Sequence, residues 1–124
     1  MTNQLFTKSQ FQQLISNGEL PHKDYAPVVR LYVTNSESQW LITELFYKHN
    51  MAYGLTDFGS GKIKFGLINL SKIRTSQDDD KKIEADPFFA GRYNLSVYAR
   101  AAQTVGHITT DEEALRMAER ELKA

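Results

Sequence analysis

Four segments rich in β-branched, aromatic and aliphatic residues follow one another closely in the first half of this chain. They are VVRLYV (28–33), WLITELFY (40–47), MAYGLTD (51–57) and IKFGLIN (63–69). Each has the composition of a β-strand. A parallel crossover between two strands needs a dozen or more residues, and the connections here are shorter. The sequence therefore predicts a four-stranded antiparallel meander, which constrains the fold more than any other feature.

Helical patterns flank the four strands. Helices are predicted over 8–16, 95–105 and 111–123. The residues with capping or terminating character are Thr7 with Gln10, Asn94, Gly106, and Thr110 with Glu113. A fifth short strand is predicted near 85–89, after an exposed polar loop. Because strands are grouped together and helices follow them, the fold class is predicted to be α+β, with a four- to five-stranded antiparallel meander sheet, an N-terminal helix and two C-terminal helices.

Composition narrows the classes of function. The chain has 124 residues, no cysteine, and 15 basic side chains against 15 acidic ones. This length fits one domain, and the lack of cysteine excludes disulfides, thiolate metal sites and cysteine nucleophiles. The zero formal charge makes sequence-independent nucleic-acid binding an unfavoured function, because such binding needs an excess of Lys and Arg. We therefore expect a protein partner rather than a nucleic acid.

The sequence also predicts where the protein works. No apolar segment approaches the roughly 20 residues that span a bilayer. Residues 1–10 lack the basic and apolar regions of a signal peptide. We therefore expect a cytoplasmic protein with no membrane contact.

Two carboxylates in the strands are candidates for chemistry. Glu44 is the charged residue of the second strand, and strict alternation would place it on the same face as Trp40. The interpretation we favour is a cross-strand ion pair between Glu44 and Arg30. The alternative is a sheet pocket in which Glu44 and Asp57 perform acid–base chemistry or bind a ligand.

The other motifs predict no catalytic residue, no metal ligand and no cofactor. The segment DFGSGK (57–62) lacks the P-loop spacing and precedes a strand, so it is predicted to be a hairpin turn. His22, His49 and His107 fall in three separate loops, without metal-ligand spacing. No G-x-S-x-G nucleophile elbow occurs. The chain is therefore predicted to be a non-enzymatic binding protein.

A contact surface is predicted from the exposed aromatic and acidic residues. Trp40, Tyr53 and Phe65 are expected on an uncovered side of the sheet, as anchors for a protein partner. The loop 76–86 is expected beside them. Its acidic run is predicted to be solvated, with mimicry of nucleic-acid phosphates as the alternative. The full set of candidate binding residues is Trp40, Glu44, Tyr53, Asp57, Phe65, Asp78, Asp79 and Asp80. Nucleic-acid binding would instead require the basic side chains of Lys62, Lys64, Lys72 and Arg74 on one face.

Several segments resemble a known family. They are LFTKSQ (5–10), QWLITEL (39–45), MAYGLTDFGSGKIKFGLINLSKI (51–73) and YARAAQTVGHI (98–108). Together they are similar to the domain-of-unknown-function family 2958. Its pattern is a tryptophan followed by T-E-L, a G-L-x-D-x-G-x-G turn, and a strand that begins with glycine and ends in S/N-L. The matching residues are Trp40, Thr43, Glu44, Leu45, Gly54, Leu55, Asp57, Gly59, Gly61, Gly66, Leu67, Asn69 and Leu70.

The chain departs from the family pattern in two places. In IEADPFF (83–89) only Asp86 matches the charged turn that the family usually carries there, and the segment 109–124 resembles nothing in the family. We therefore predict one α+β domain over 1–108 and a helical extension over 109–124.

The resemblance implies a context rather than an activity. Members are small proteins, often encoded on plasmids, phages and integrating elements, and no activity is assigned to them. It implies an accessory protein of a mobile genetic element. We expect it to bind a host or element-encoded protein, and inhibition of a host defence complex is the sharper hypothesis.

Overall fold

The computed structural model describes residues 5–46, 50–75 and 80–124. The helices and strands are α1 (Lys8–Glu19), β1 (Val29–Val33), β2 (Gln39–Phe46), β3 (Met51–Asp57), β4 (Ile63–Asn69), α2 (Leu70–Thr75), β5 (Ile83–Ala85), α3 (Leu95–Val105) and α4 (Glu112–Lys123). The strands form one antiparallel sheet in the order β4-β3-β2-β1-β5. The predicted α+β fold and its meander are therefore confirmed.

The fifth strand is shorter and earlier than the predicted 85–89. It pairs with β1 and ends at Ala85, because Pro87 has no N–H to donate to a ladder. The Asp86 carboxylate accepts the N–H of Phe88 at 2.9 Å, which turns the chain away from the sheet. Phe88 is 93% exposed, whereas Phe89 is partly buried, with its ring centroid 6.0 Å from that of Tyr98.

The capping box of α1 forms as predicted. The Thr7 hydroxyl accepts the N–H of Gln10, and the Gln10 side chain accepts the N–H of Thr7. The helix continues through Glu19, beyond the predicted end at residue 16.

Gly18 lies inside α1 because the helix packs closely on β2. A Cβ atom at this position would lie 2.4 Å from the carbonyl oxygen of Leu45. The preceding residue, the buried Asn17, donates its side-chain N–H to the carbonyl of Thr43 at 2.9 Å. The Asn17-Gly18 pair therefore docks the helix rather than ending it.

The two C-terminal helices form near their predicted positions, but their N-termini are capped differently. Asn94 occupies the N-cap of α3 without a side-chain hydrogen bond. Asp24, from the connector after α1, instead accepts the N–H of Ser96 at 3.0 Å and its hydroxyl at 2.5 Å. Helix α4 is capped by Asp111, whose carboxylate accepts the N–H of Ala114 at 2.9 Å. The connector thus holds α3 in place from a distance in sequence.

The sheet lies between two layers, which give its faces their names. The α1 face packs on α1, and its buried residues include Leu14, Leu31, Trp40, Ile42, Leu45, Ala52 and Ile68. The α3 face packs on α3 and α4, and its buried residues include Leu41, Leu55, Tyr98, Ala101, Leu115 and Ala118. Helix α4 packs on α3 through Leu115 and Ala118 and through a 2.9 Å ion pair between Arg100 and Glu121. Among the described residues, no helix is long and apolar enough to cross a bilayer.

Candidate functional site

A β-bulge in β2 decides which face Glu44 occupies. The pairing between β2 and β3 slips between Ile42 and Glu44, so that Glu44 lies opposite Tyr53. Because a bulge adds one residue, it reverses the alternation of side chains beyond it. Glu44 therefore lies on the α3 face, and the prediction that it shares a face with Trp40 is wrong.

The Glu44 carboxylate is 1% exposed and its partner is a histidine from the connector. Its Oε2 lies 3.1 Å from Nδ1 of His22, and its Oε1 lies 3.2 Å from the Thr43 hydroxyl. The His22 ring is 59% exposed and meets the Tyr53 ring edge-on at 4.7 Å. The carboxylate oxygen and the ring nitrogen are within hydrogen-bond distance, so one of the two atoms carries the hydrogen. The carboxylate end of this pair is buried, and the imidazole end is exposed to water.

Arg30 does not pair with Glu44, so that prediction is also wrong. Its guanidinium lies 3.0 Å from the Asp86 carboxylate and donates to the Gln39 side chain at 2.9 Å. Arg30 lies opposite Leu41, three residues before Glu44 along β2, and its guanidinium is held instead by Gln39 and Asp86.

Asp57 uses both carboxylate oxygens on backbone groups. It is fully buried. One oxygen accepts the N–H of Gly59 and the other accepts the N–H of Ile108, each at 2.8 Å. The first bond closes the turn after β3, and the second anchors the segment that joins α3 to α4. The side chain is thus placed to hold two distant segments together.

Gln39 forms a polar cluster with Asp57 and the backbone of Ile108. It lies opposite Asp57 in the sheet and donates to the carbonyl of Ile108 at 3.1 Å. The peptide groups of Ile108 are therefore held on both sides, by Asp57 and Gln39, and Gln39 in turn is held by Arg30. This cluster ties β1, β2, β3 and the α3–α4 connection into one unit.

Glu44 and Asp57 do not share a site, although both face α3 and α4. Glu44 lies opposite Tyr53, and the four-residue step from Tyr53 to Asp57 spans about 13 Å of strand. Their hydrogen-bond partners are different residues. The geometry therefore gives no paired-carboxylate pocket.

An open groove of about 760 Å³ lies on the part of the α1 face that α1 leaves uncovered, next to β4. Its floor and walls contain Trp40 and Thr56 from the sheet, and residues 64–69 line it without a break. Phe58 stands at the rim, 65% exposed, with its ring edge-on to Trp40 at 6.0 Å. We call this feature the β4 groove.

Four lysines line the β4 groove, and no acidic residue is among its described lining residues. The lysines are Lys62, Lys64, Lys72 and Lys81. All four are exposed. Within the described ranges, no salt bridge joins Lys62, Lys64 or Lys81 to a carboxylate. Four cationic side chains around one concave surface make it attractive to an anionic partner.

The lysines come from three segments that the fold fixes beside one another. Lys62 and Lys64 follow the turn that Asp57 closes. The Asn69 side chain accepts the N–H of Lys72 at 3.0 Å and so starts α2 directly after β4. The Thr34 hydroxyl accepts the N–H of Lys82 at 2.8 Å, which holds the segment that carries Lys81.

The predicted contact aromatics are divided between the two faces. Trp40 lies in the β4 groove but is only 4% exposed, and Phe65 lines the same groove with half of its surface exposed. By their register, Tyr53 and Phe65 both belong to the α3 side of the sheet, and Tyr53 lies there beside His22. Asp80 is exposed, whereas Asp78 and Asp79 lie outside the described residues. The binding roles of these residues stay predictions.

Sequence reasoning missed the contributions of Phe58 and Lys81 to the groove. Phe58 was hidden in a segment interpreted only as a turn, and Lys81 in one interpreted only as an acidic loop. Lys62, Lys64, Lys72 and Arg74 were named as a group that nucleic-acid binding would need. The structure brings the three lysines to one groove, and the side chain of Arg74 lies outside the described residues. Within the described ranges, no three His, Cys, Asp or Glu side chains gather as metal ligands.

Comparison with known proteins gives one relationship. Searches of curated proteins and of solved structures found no match. The family described as "Protein of unknown function (DUF2958)" matches residues 5–109, from the start of the α1 region to the segment that Asp57 anchors. The match covers most of the chain, including the bulge, the Asp57 turn and β4. The chain therefore belongs to the DUF2958 family.

Proposed function

We propose that this protein is a non-enzymatic binding module whose β4 groove holds another protein. The observation that carries the proposal is the set of four exposed lysines around one groove, with no acidic residue among the described residues that line it. A protein surface that bears excess carboxylates would complement this charge. The buried Asp57 is fully engaged inside the fold, which leaves the groove as the more accessible polar feature.

The setting we propose is the cytoplasm of a cell that carries a mobile genetic element, with this chain as an accessory protein. This part extends from the resemblance of residues 5–108 to proteins often encoded on plasmids and phages. The sharper version is inhibition of a host defence complex. It predicts that expression of the chain raises plasmid transfer or phage survival in a host with the defence and not in a host without it.

Copurification with quantitative mass spectrometry tests the binding proposal. The groove variant is Lys62→Glu with Lys64→Glu. A matched control, Lys8→Glu with Lys23→Glu, makes the same charge change at exposed lysines outside the groove. We expect a stoichiometric partner with the wild type and the control, and its loss with the groove variant. A partner that survives the groove variant would contradict the role of the groove, and no stoichiometric partner at all would contradict the binding module.

A second candidate function is favoured by the Glu44–His22 pair. A buried carboxylate within hydrogen-bond distance of an exposed imidazole is an arrangement that general acid–base catalysis uses. If this is the functional site, His22→Gln abolishes the effect in the transfer or survival assay while the groove variant does not. The groove proposal predicts the opposite pattern.

A further inference from the structure

We propose that the outer edge of β4 receives an extended segment of the partner as an added β-strand, in which acidic side chains alternate with apolar ones. This inference rests on the proposed function, since it specifies the chemistry of the protein that the β4 groove holds.

The edge of the sheet supplies the backbone part of the argument. Strand β4 is the last in the strand order, and it pairs with β3 along its whole length, from Ile63 to Asn69. Its other edge has no strand partner among the described residues. Such an edge presents backbone N–H and C=O groups that an extended peptide can pair with. The groove follows this strand, since residues 64–69 all line it.

Gly66, in the middle of β4, leaves room for a second backbone. Its φ angle is +156°, and a Cβ atom built there would have no heavy atom within 4 Å. Glycine within a strand is a feature of places where another backbone comes close. Leu67, the next residue, is 66% exposed although its side chain is large and apolar.

The two sides of β4 differ in chemistry, and this difference specifies the partner. Lys64 lies opposite Thr56, on the α1 face, and Lys62 has the same parity. Lys72 lines the groove on that side as well. On the other side, Phe65 and Leu67 are 50% and 66% exposed. Because successive side chains of a strand point to opposite faces, an added strand would meet lysines with one set of side chains and apolar groups with the other.

Two other occupants fit the same edge less well. A second copy of this chain, paired through β4, would bring both sets of lysines to one seam, where like charges repel. A single-stranded nucleic acid would use the lysines, but it also needs aromatic ring faces for its bases. Trp40 is only 4% exposed, and Phe65 lies on the other side of β4 from Lys64. Phe58 is therefore the one accessible ring beside the lysines among the described residues that line the groove.

Peptide binding tests the inference directly. The probe is a fluorescein-labelled peptide of about seven to nine residues, a usual strand length, in which glutamate alternates with valine. Its controls are a peptide of the same composition with the glutamates in one block, the alternating peptide N-methylated on every second residue, and a thymidine oligonucleotide. Fluorescence anisotropy at low and at physiological salt gives the dissociation constants.

We expect the alternating peptide to bind the wild type most tightly. The Lys62→Glu, Lys64→Glu variant should weaken it by about tenfold or more, because each reversal replaces an attraction by a repulsion. The Lys8→Glu, Lys23→Glu control should leave it unchanged. N-methylation of the residues whose N–H groups face β4 should weaken it as strongly, since it removes donors of the ladder. Amide chemical shifts should change along residues 63–69.

Three results would overturn the inference. The first is that the block peptide binds as tightly as the alternating one, and the second is that N-methylation of the glutamates and N-methylation of the valines both leave binding unchanged. The third result is that the oligonucleotide displaces the labelled peptide at a lower concentration than the unlabelled peptide does. The copurification experiment separates this failure from failure of the proposed function. A groove-dependent protein partner with no binding of the alternating peptide rejects strand addition alone. A partner that copurifies equally well with the groove variant rejects both the proposed function of the groove and strand addition at β4.

Discussion

Replacement of Asp57 by asparagine is the substitution that best separates a structural role from a catalytic one. The two side chains have the same shape, but asparagine presents an N–H group where Asp57 presents a second oxygen. In the native protein both oxygens accept backbone N–H groups, from Gly59 and from Ile108, at 2.8 Å. After the substitution, one of these two backbone donors must face another donor in a fully buried place.

The expected loss of stability follows from those two bonds. A hydrogen bond to a charged group contributes about 1.5–3 kcal/mol, and a buried donor without an acceptor costs about 1–3 kcal/mol. One bond survives in Asp57→Asn, so we expect the free energy of unfolding to fall by about 2–4 kcal/mol. With a urea dependence of about 2 kcal/mol per molar, the midpoint should move down by about 1–2 M.

Urea unfolding followed by circular dichroism measures this change, and amide exchange locates it. We expect the N–H of Ile108 or of Gly59 to exchange faster in Asp57→Asn than in the wild type. Asp80→Asn is the matched control, since Asp80 is exposed and the side chains of Thr34 and Asn35 donate to its backbone carbonyl. A variant within about 0.5 kcal/mol of the wild type, with unchanged exchange at both amides, would refute the structural role.

Three further substitutions test other parts of the fold by the same unfolding assay. Gly18→Ala should cost about 1–3 kcal/mol, because its Cβ would lie 2.4 Å from the Leu45 carbonyl oxygen; a gain in stability would show that the helix is not packed so closely. Glu44→Met should change stability by less than about 1 kcal/mol or raise it, since exposed His22 can turn to water; a loss above about 3 kcal/mol would contradict this. Burial raises the pKa of the Tyr98 hydroxyl above its ordinary value, so stability present below pH 10 should be lost as pH rises through that higher pKa. Tyr98→Phe should make the alkaline loss smaller, and an identical alkaline profile would contradict the assignment.

The elements of this fold were predictable from the sequence because their signals are local. Alternating apolar residues and short connections gave the meander, and the Thr7 capping box gave the start of α1. The faces beyond the bulge were not predictable, since nothing in the sequence WLITELF marks Thr43 as an added residue. The end of α1 was misjudged because Gly18 is required by contact with a distant strand, and that requirement is tertiary.

The candidate site was less predictable than the fold for a related reason. Glu44 attracted attention as a charge in an apolar strand, yet its partner His22 comes from a connector that no local rule joins to β2. The lysines of the β4 groove were visible as basic residues, but they become a groove only when the turn after β3, helix α2 and the segment before β5 meet. A zero net charge conceals such a patch, because the total says nothing about distribution.

Several residues that carry the resemblance to the family stabilise the fold of this protein through hydrogen bonds or close packing. Asp57 holds Ile108, and the N–H of Gly59 closes the turn. A Cβ at Gly54 would overlap the Leu41 carbonyl. Lys62 and Lys64, by contrast, are exposed groove residues that lie between motif positions, while the motif residues Gly66 and Leu67 line the groove beside them. The buried positions of this pattern therefore specify the sheet and its closure, and the charges of the groove lie beside them. Substitution of Lys62 or Lys64 should change binding without unfolding the protein, whereas substitution of Gly54 or Asp57 should unfold it first.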